Sequence, residues 1–87
     1  MRNIYYFGAD WCPSCKRLKP HFDKLIQDSN LTATYVDVDD NPGMAEAYGV
    51  KSLPTIIVED TSNRINTVKQ RLVNPTPPEI KYALVAD

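Results

Sequence analysis

Residues Asn3 to Phe7 form a nearly unbroken apolar run, Asn-Ile-Tyr-Tyr-Phe, closed by Gly8-Ala9-Asp10. So short and so apolar a run reads as a strand covered on both faces, the usual state of a central strand in a parallel sheet. In a chain of 87 residues this feature points to α/β layering, because helices must cover both faces of that strand. The chain can support one modest core, burying about 60–65% of its unfolded surface. No repeat, low-complexity tract or composition shift marks a boundary, so residues 1–87 are expected to form one domain.

The remaining elements follow from periodicity. From Pro13 to about Asp28, Leu18, Phe22, Leu25 and Ile26 recur at helical spacing. Pro13 suits the first helical position, and Pro20 is expected to kink the helix because it cannot donate to the Lys16 carbonyl. Asp28-Ser29-Asn30 is a stop signal. Leu31 to Val38 alternates as a second strand, with Tyr35 and Asp37 on one face and Val36 and Val38 on the other. Asn41-Pro42-Gly43 reads as an N-cap and helix start, opening a short helix that ends near Gly49. Thr55 to Val58 is a third strand; Asp60-Thr61-Ser62-Asn63 turns the chain, and Ile65 to Val73 returns as a fourth. Thr76-Pro77-Pro78-Glu79 has capping-box spacing and introduces a last helix through about Val85. The order β-α-β-α-β-β-α predicts a parallel first pair, a closing antiparallel hairpin and a mixed four-stranded sheet flanked by helices.

Charge and hydropathy narrow the function. Ten Lys plus Arg against eleven Asp plus Glu leave a net charge of -1, which argues against a nucleic-acid binder or a polybasic membrane binder. No apolar run approaches the roughly 18 residues that span a bilayer. The start, Met1-Arg2-Asn3-Ile4, leads into too short an apolar stretch for a signal peptide, so a cytoplasmic protein is expected. Nothing in the sequence requires an oligomer, and a monomer is expected.

The chain has two cysteines, Cys12 and Cys15. A bridge between them closes a tiny loop and would constrain little of the unfolded chain, so it is no structural staple. Cys12 falls where a strand ends and a helix begins, where unpaired N–H groups and the helix dipole favour thiolate over thiol. Lys16, Arg17 and Lys19 add positive charge nearby. Cys15 comes round to nearly the same face one turn on, within reach of Cys12, so the pair can cycle between dithiol and disulfide. A thiol of pKa about 8.5 is about 3% ionised at pH 7; one lowered to about 7 is half ionised. Of that roughly 15-fold gain, lower basicity returns about 5-fold. The lowered pKa therefore matters at least as much for making Cys12 a good leaving group.

Other chemistries fit less well. A structural zinc site normally takes four ligands, and here two Cys and one His are available. His21 lies nine positions from Cys12, half a turn off on a helix, and is expected at the surface. No metal and no bound cofactor are expected.

The segment Ala9-Asp10-Trp11-Cys12-Pro13-Ser14-Cys15-Lys16 resembles the active site of the thioredoxin family, and Pro20 matches that family's kinking proline. Asp39-Asp40-Asn41-Pro42-Gly43 and then Tyr48-Gly49-Val50-Lys51-Ser52-Leu53-Pro54-Thr55 resemble its second half, ending in the cis-proline motif. The likeness runs from Ile4 to about Lys69. It implies that Cys12 is the attacking thiolate and Cys15 the resolving thiol. Trp11 would cover the edge of the disulfide, with Pro13, Ser14 and Lys16 in supporting positions. Pro54 would be cis beside it, and the Leu53 backbone would pair with an extended substrate segment. Base rates for X-Pro bonds favour trans, at about 94–95%; the resemblance alone argues for cis.

The departures from that family carry their own expectations. The family's additional N-terminal strand and helix are expected to be absent, as in glutaredoxins. The dipeptide between the cysteines is Pro-Ser, neither the thioredoxin Gly-Pro nor the usual glutaredoxin Pro-Tyr. Gln70-Arg71-Leu72-Val73 stands where a glutathione-binding segment would follow the fourth strand. Arg71 is expected at a place where thioredoxins carry a glycine that admits substrate. The buried acid beneath the thioredoxin disulfide maps to Tyr6, and its lysine partner to Tyr35. Tyr6 is expected to pack beneath the active-site helix, beside Tyr35, and to be no base at pH 7. The sequence thus predicts a thiol–disulfide oxidoreductase that reduces protein disulfides through a Cys12 mixed disulfide, resupplied by a thioredoxin-reductase-type flavoenzyme. The alternative is a thioredoxin-like binding module, or partner subunit, whose redox centre is idle.

Overall fold

The structure, a computed structural model, describes residues 2–60 and 68–85. Its elements are β1 (Arg2–Gly8), α1 (Pro13–Asp28), β2 (Ala33–Asp37), α2 (Pro42–Ala47), β3 (Thr55–Asp60), β4 (Val68–Val73) and α3 (Pro77–Val85). The sheet order is β2-β1-β3-β4. β1 pairs with β2 in parallel and with β3 antiparallel, and β3 pairs with β4 antiparallel. The predicted α/β fold, with its order of elements and mixed four-stranded sheet, is the observed one. Of the expected turn, Asp60 is the last residue of β3; Thr61, Ser62, Asn63 and the Ile65 start of the return strand lie outside the described residues.

The apolar run of β1 is explained by a core on each side of the sheet. Ile4 and Tyr6 point into a cluster with Leu18, Phe22 and Ile26 of α1, Ile56 and Val58 of β3, and Ile80 and Leu84 of α3. Phe7 points the other way, to Val36 and Ile57, where Tyr5, Val38, Met44, Tyr48 and Leu53 pack against it. Alternate residues of one strand thus feed two layers. Tyr35 and Val36 take opposite faces as expected, although β2 is shorter than the alternation from Leu31 to Val38 suggested. α1 buries Cys15, Leu18, Phe22 and Ile26 and continues through Pro20, which is exposed on its outer side.

Two caps differ in their fate. Thr76 and Glu79 form the predicted pair: the Glu79 carboxylate accepts from the Thr76 N–H at 3.0 Å and from its hydroxyl at 2.9 Å. Asn41 stands at the predicted N-cap of α2, yet its side chain caps nothing there. Its amide donates to the Asp37 carbonyl at 3.3 Å instead, closing the turn between β2 and α2. The other end of α2 is held by the edge strand β4. Arg71 of β4 donates to the carbonyls of Tyr48 at 2.6 Å and Gly49 at 2.7 Å, next to Gly49's positive φ of 67°. A cation at a helix C-terminus also meets the negative end of the dipole. This corrects the expectation for Arg71. The register sets it opposite Ile57, and the residue opposite Thr55, at the Pro54 end, is Val73.

Arg71→Ala is expected to destabilise the chain by about 1 kcal/mol, since two charge-assisted but exposed hydrogen bonds are lost. Arg71→Lys should recover less than half of that, because one ammonium cannot fork to both carbonyls as a guanidinium does. Urea midpoints of the three proteins measure it.

Candidate active site

β1 ends at Gly8, and the chain turns through Ala9-Asp10-Trp11, with the Cys12 N–H donating to the Ala9 carbonyl at 3.2 Å. Cys12 is the N-cap of α1, with extended backbone at φ -91° and ψ 107°. Its carbonyl accepts the Lys16 N–H at 3.1 Å, and its sulfur accepts the Cys15 N–H at 3.2 Å. The sulfur thus fills the place of a capping oxygen, taking an N–H that the helix itself leaves without a partner. Pro13, at the first helical position, has no N–H to satisfy. The two cysteines are joined as a disulfide with Cα atoms 5.2 Å apart, and both are buried, at 5% and 4% exposure. On reduction, the bond from the Cys15 N–H and the dipole of a 16-residue helix both favour a thiolate at Cys12.

The flanking cations are unequal. Arg17 donates to Ser14 Oγ at 3.3 Å, and Lys19 is paired with Asp23 at 3.0 Å while lying over the Tyr35 ring. Lys16 is exposed and lines the cleft that reaches Cys15. His21 is exposed, as expected. Among the described residues, no three His, Cys, Asp or Glu side chains are grouped to hold a metal.

Trp11 is 65% exposed, and its indole N–H donates to Asp39 Oδ2 at 2.8 Å. Asp39 was not among the residues the sequence singled out for the site, though it opens one of the segments that carry the family likeness. Trp11, Cys12 and Leu53 share a shallow groove of about 300 Å³ with Val38, Ala45, Val50 and Lys51. The valines that widen this apolar floor were likewise missed. The Leu53–Pro54 peptide is cis, Pro54 is buried, and its carbonyl accepts the Asn74 N–H at 2.8 Å.

Beneath the disulfide lies Tyr6, 4% exposed, whose hydroxyl donates to the Cys15 carbonyl at 3.0 Å. Its ring stands 4.9 Å from that of Phe22 and 5.8 Å from that of Tyr35, its register partner in β2. Burial, with a smaller contribution from the Asp23 charge, pushes the Tyr6 hydroxyl up to about 12. Tyr35 in turn donates to Asp23, and burial together with that carboxylate raises its own pKa.

Partial burial alone would raise the Asp23 pKa, but hydrogen bonds from Tyr35 and Lys19 outweigh it and hold the carboxyl below its ordinary 3.8. A folded pKa below the unfolded one stabilises the protein fully above the unfolded value and ceases to do so as pH falls through the folded value. Asp23→Asn is therefore expected to flatten part of the acid limb of stability below about pH 4, read from urea midpoints across that range.

A four-stranded mixed sheet that delivers two cysteines to the first turn of its longest helix defines a thioredoxin-like protein. The family profile described as Thioredoxin matches residues 2–75, and the chain belongs to the thioredoxin family. It is similar to the thioredoxin of Pyropia yezoensis, at 33% identity over 64 residues, covering 71% of this chain and 60% of that one. The thioredoxin of Chlamydia caviae is 38% identical over 63 residues, covering 71% and 62%. Among solved structures, mitochondrial thioredoxin 3 from Saccharomyces cerevisiae in its oxidized form superposes with a TM-score of 0.83 at 25% identity, over 95% of this chain and 76% of that one. The chain spans about three fifths of the length of these curated relatives.

Proposed function

We propose that the protein is a thiol–disulfide oxidoreductase that reduces disulfides in protein substrates. The observation that carries this reading is the Cys12 sulfur at the N-cap of α1, accepting a helix N–H and bonded to Cys15. In the reduced protein the Cys12 thiolate attacks a substrate disulfide, forming a Cys12–substrate disulfide and releasing one substrate thiolate. Cys15 then loses its proton and attacks the Cys12 sulfur. The Cys12–substrate bond breaks, the second substrate sulfur leaves with the electron pair, and two electrons have passed to the substrate. The dithiol is itself the electron carrier, and no bound metal or cofactor enters the scheme.

The groove bounded by Trp11, Val38, Val50 and Leu53 supports an extended apolar segment lying next to Cys12, with the Leu53 backbone as its pairing edge. Trp11 is pre-set for that contact, since its bond to Asp39 holds the indole over the groove at no cost on binding. The scheme needs no second copy of the chain and suits a reducing compartment such as the cytoplasm. Among the described residues, no helix is long and apolar enough to cross a membrane.

The electron source is a flavoenzyme of the thioredoxin-reductase type. What supports this is β4, where Gln70-Arg71-Leu72-Val73 is regular strand and Arg71 is committed to α2. With NADPH and such a flavoenzyme, the protein should sustain multiple turnovers on a disulfide-bonded protein. Glutathione with glutathione reductase should support less than about a tenth of that rate, and equal rates would overturn the assignment of the donor.

A further inference from the structure

Gly8 is a strand residue whose backbone does not demand glycine: positive φ among the described glycines is found at Gly49. What Gly8 provides is space. A Cβ built there would stand 3.0 Å from Tyr6 Cε1 and 3.5 Å from Cys15 Sγ. The space continues into a cleft of about 260 Å³ that Gly8 and Cys15 both line, and it opens to the surface. That volume admits several waters, since one needs about 10–15 Å³.

The titratable groups facing this cleft are Tyr6 from β1, Asp10 from the loop, Lys16 and Lys19 from α1, and Tyr35 and Asp37 from β2. Tyr6 has committed its hydroxyl proton to the Cys15 carbonyl, and Tyr35 and Lys19 are both engaged with Asp23. Asp37 accepts the Asp39 N–H at 2.9 Å. Two carboxylates face two ammonium groups, so no single sign of charge dominates the cleft.

We propose that the missing side chain at Gly8 opens an outlet to solvent at the Cys15 sulfur, through which the resolving thiol releases its proton and water reaches the thiolate. This rests on the reading that Cys15 resolves a Cys12 mixed disulfide. The proton of Cys15 passes to water in the cleft, and the sulfur keeps the electron pair. That pair forms the bond to Cys12 Sγ as the Cys12–substrate bond breaks and the substrate sulfur departs with its own pair. Solvation by the cleft takes the place that a fixed carboxylate would otherwise fill.

The test titrates Cys15 as the lone thiol in a Cys12→Ser background, by thiolate absorbance and by iodoacetamide alkylation against pH. Adding Gly8→Ala puts a methyl group between the sulfur and the cleft. The midpoint is expected to rise by about one unit, which is about tenfold less thiolate at pH 7 and about tenfold slower alkylation. Because Tyr6 must shift to admit that methyl, Lys19→Trp supplies a second arm. It narrows the mouth from an exposed position, and it is read against Lys19→Met, which removes the same charge and leaves the mouth open. Lys19→Trp should titrate higher than Lys19→Met. Identical midpoints for glycine and alanine at position 8, and for tryptophan and methionine at position 19, would overturn the outlet. A Gly8-dependent midpoint in a chain whose dithiol form reduces no disulfide sinks the reductase reading and spares the outlet; an unchanged midpoint in an active reductase sinks the outlet alone.

Discussion

Cys12→Ser is expected to reduce disulfide reduction to the uncatalysed background, whereas Cys15→Ser is expected to leave the first attack intact and stop the cycle one step later. The two outcomes differ because the sulfurs differ in position. Cys12 caps the helix, lines the groove beside Trp11 and receives the Cys15 N–H. Cys15 lies a turn inside α1, borders the opposite cleft and stands over Tyr6. A serine hydroxyl at position 12 would keep the capping bond but stay un-ionised at neutral pH, so the fold survives while the nucleophile is gone. With Cys15→Ser, a covalent complex should accumulate in near-stoichiometric yield and be released by dithiothreitol. Intact-mass spectrometry reads both. Activity surviving Cys12→Ser would refute the reductase scheme. Full function in a cell for the Cys12→Ser/Cys15→Ser protein would favour a docking module instead.

The second large effect concerns the pH dependence of resolution. With its hydroxyl pushed up to about 12 and donated to the Cys15 carbonyl, Tyr6 is not poised to take the Cys15 proton at pH 7. The rate at which a Cys12 mixed disulfide resolves should therefore climb about tenfold per pH unit until it nears the pKa of Cys15. Tyr6→Phe should preserve that slope while costing about 1 kcal/mol for the lost hydrogen bond. Tyr6→Ala, by contrast, should cost about 3–5 kcal/mol, since it empties the space against Phe22 and Tyr35. Tyr6→Asp should flatten the slope near neutrality by supplying a base, at a severe cost in stability from burying a carboxylate where Tyr6 is 4% exposed. Stopped-flow resolution from about pH 6 to 9 decides it: a flat wild-type profile, unchanged by Tyr6→Asp, would show that position 6 has no part in the proton transfer.

What the sequence determined alone is what depends on neighbours along the chain. Helical spacing set which side of α1 is buried, and strand alternation set which residues share a face. Three residues of helix brought Cys15 under Cys12, and the Thr76–Glu79 pair capped α3 as its spacing implies. Even locally, one outcome departed from the pattern: the Asn41 side chain donates to the Asp37 carbonyl and accepts no helix N–H. The remaining features join residues far apart in sequence, 9 for Tyr6 and Cys15, 22 for Arg71 and Gly49, and 28 for Trp11 and Asp39. Periodicity assigns a side chain to a face, but the face acquires its neighbours only when strand order and register are set. Placing β1 between β2 and β3 put Tyr6 against Tyr35 and left a cleft where Gly8 has no side chain. Pairing β4 antiparallel to β3 put Arg71 opposite Ile57, on the α2 side of the sheet, where its guanidinium is taken up by the Tyr48 and Gly49 carbonyls.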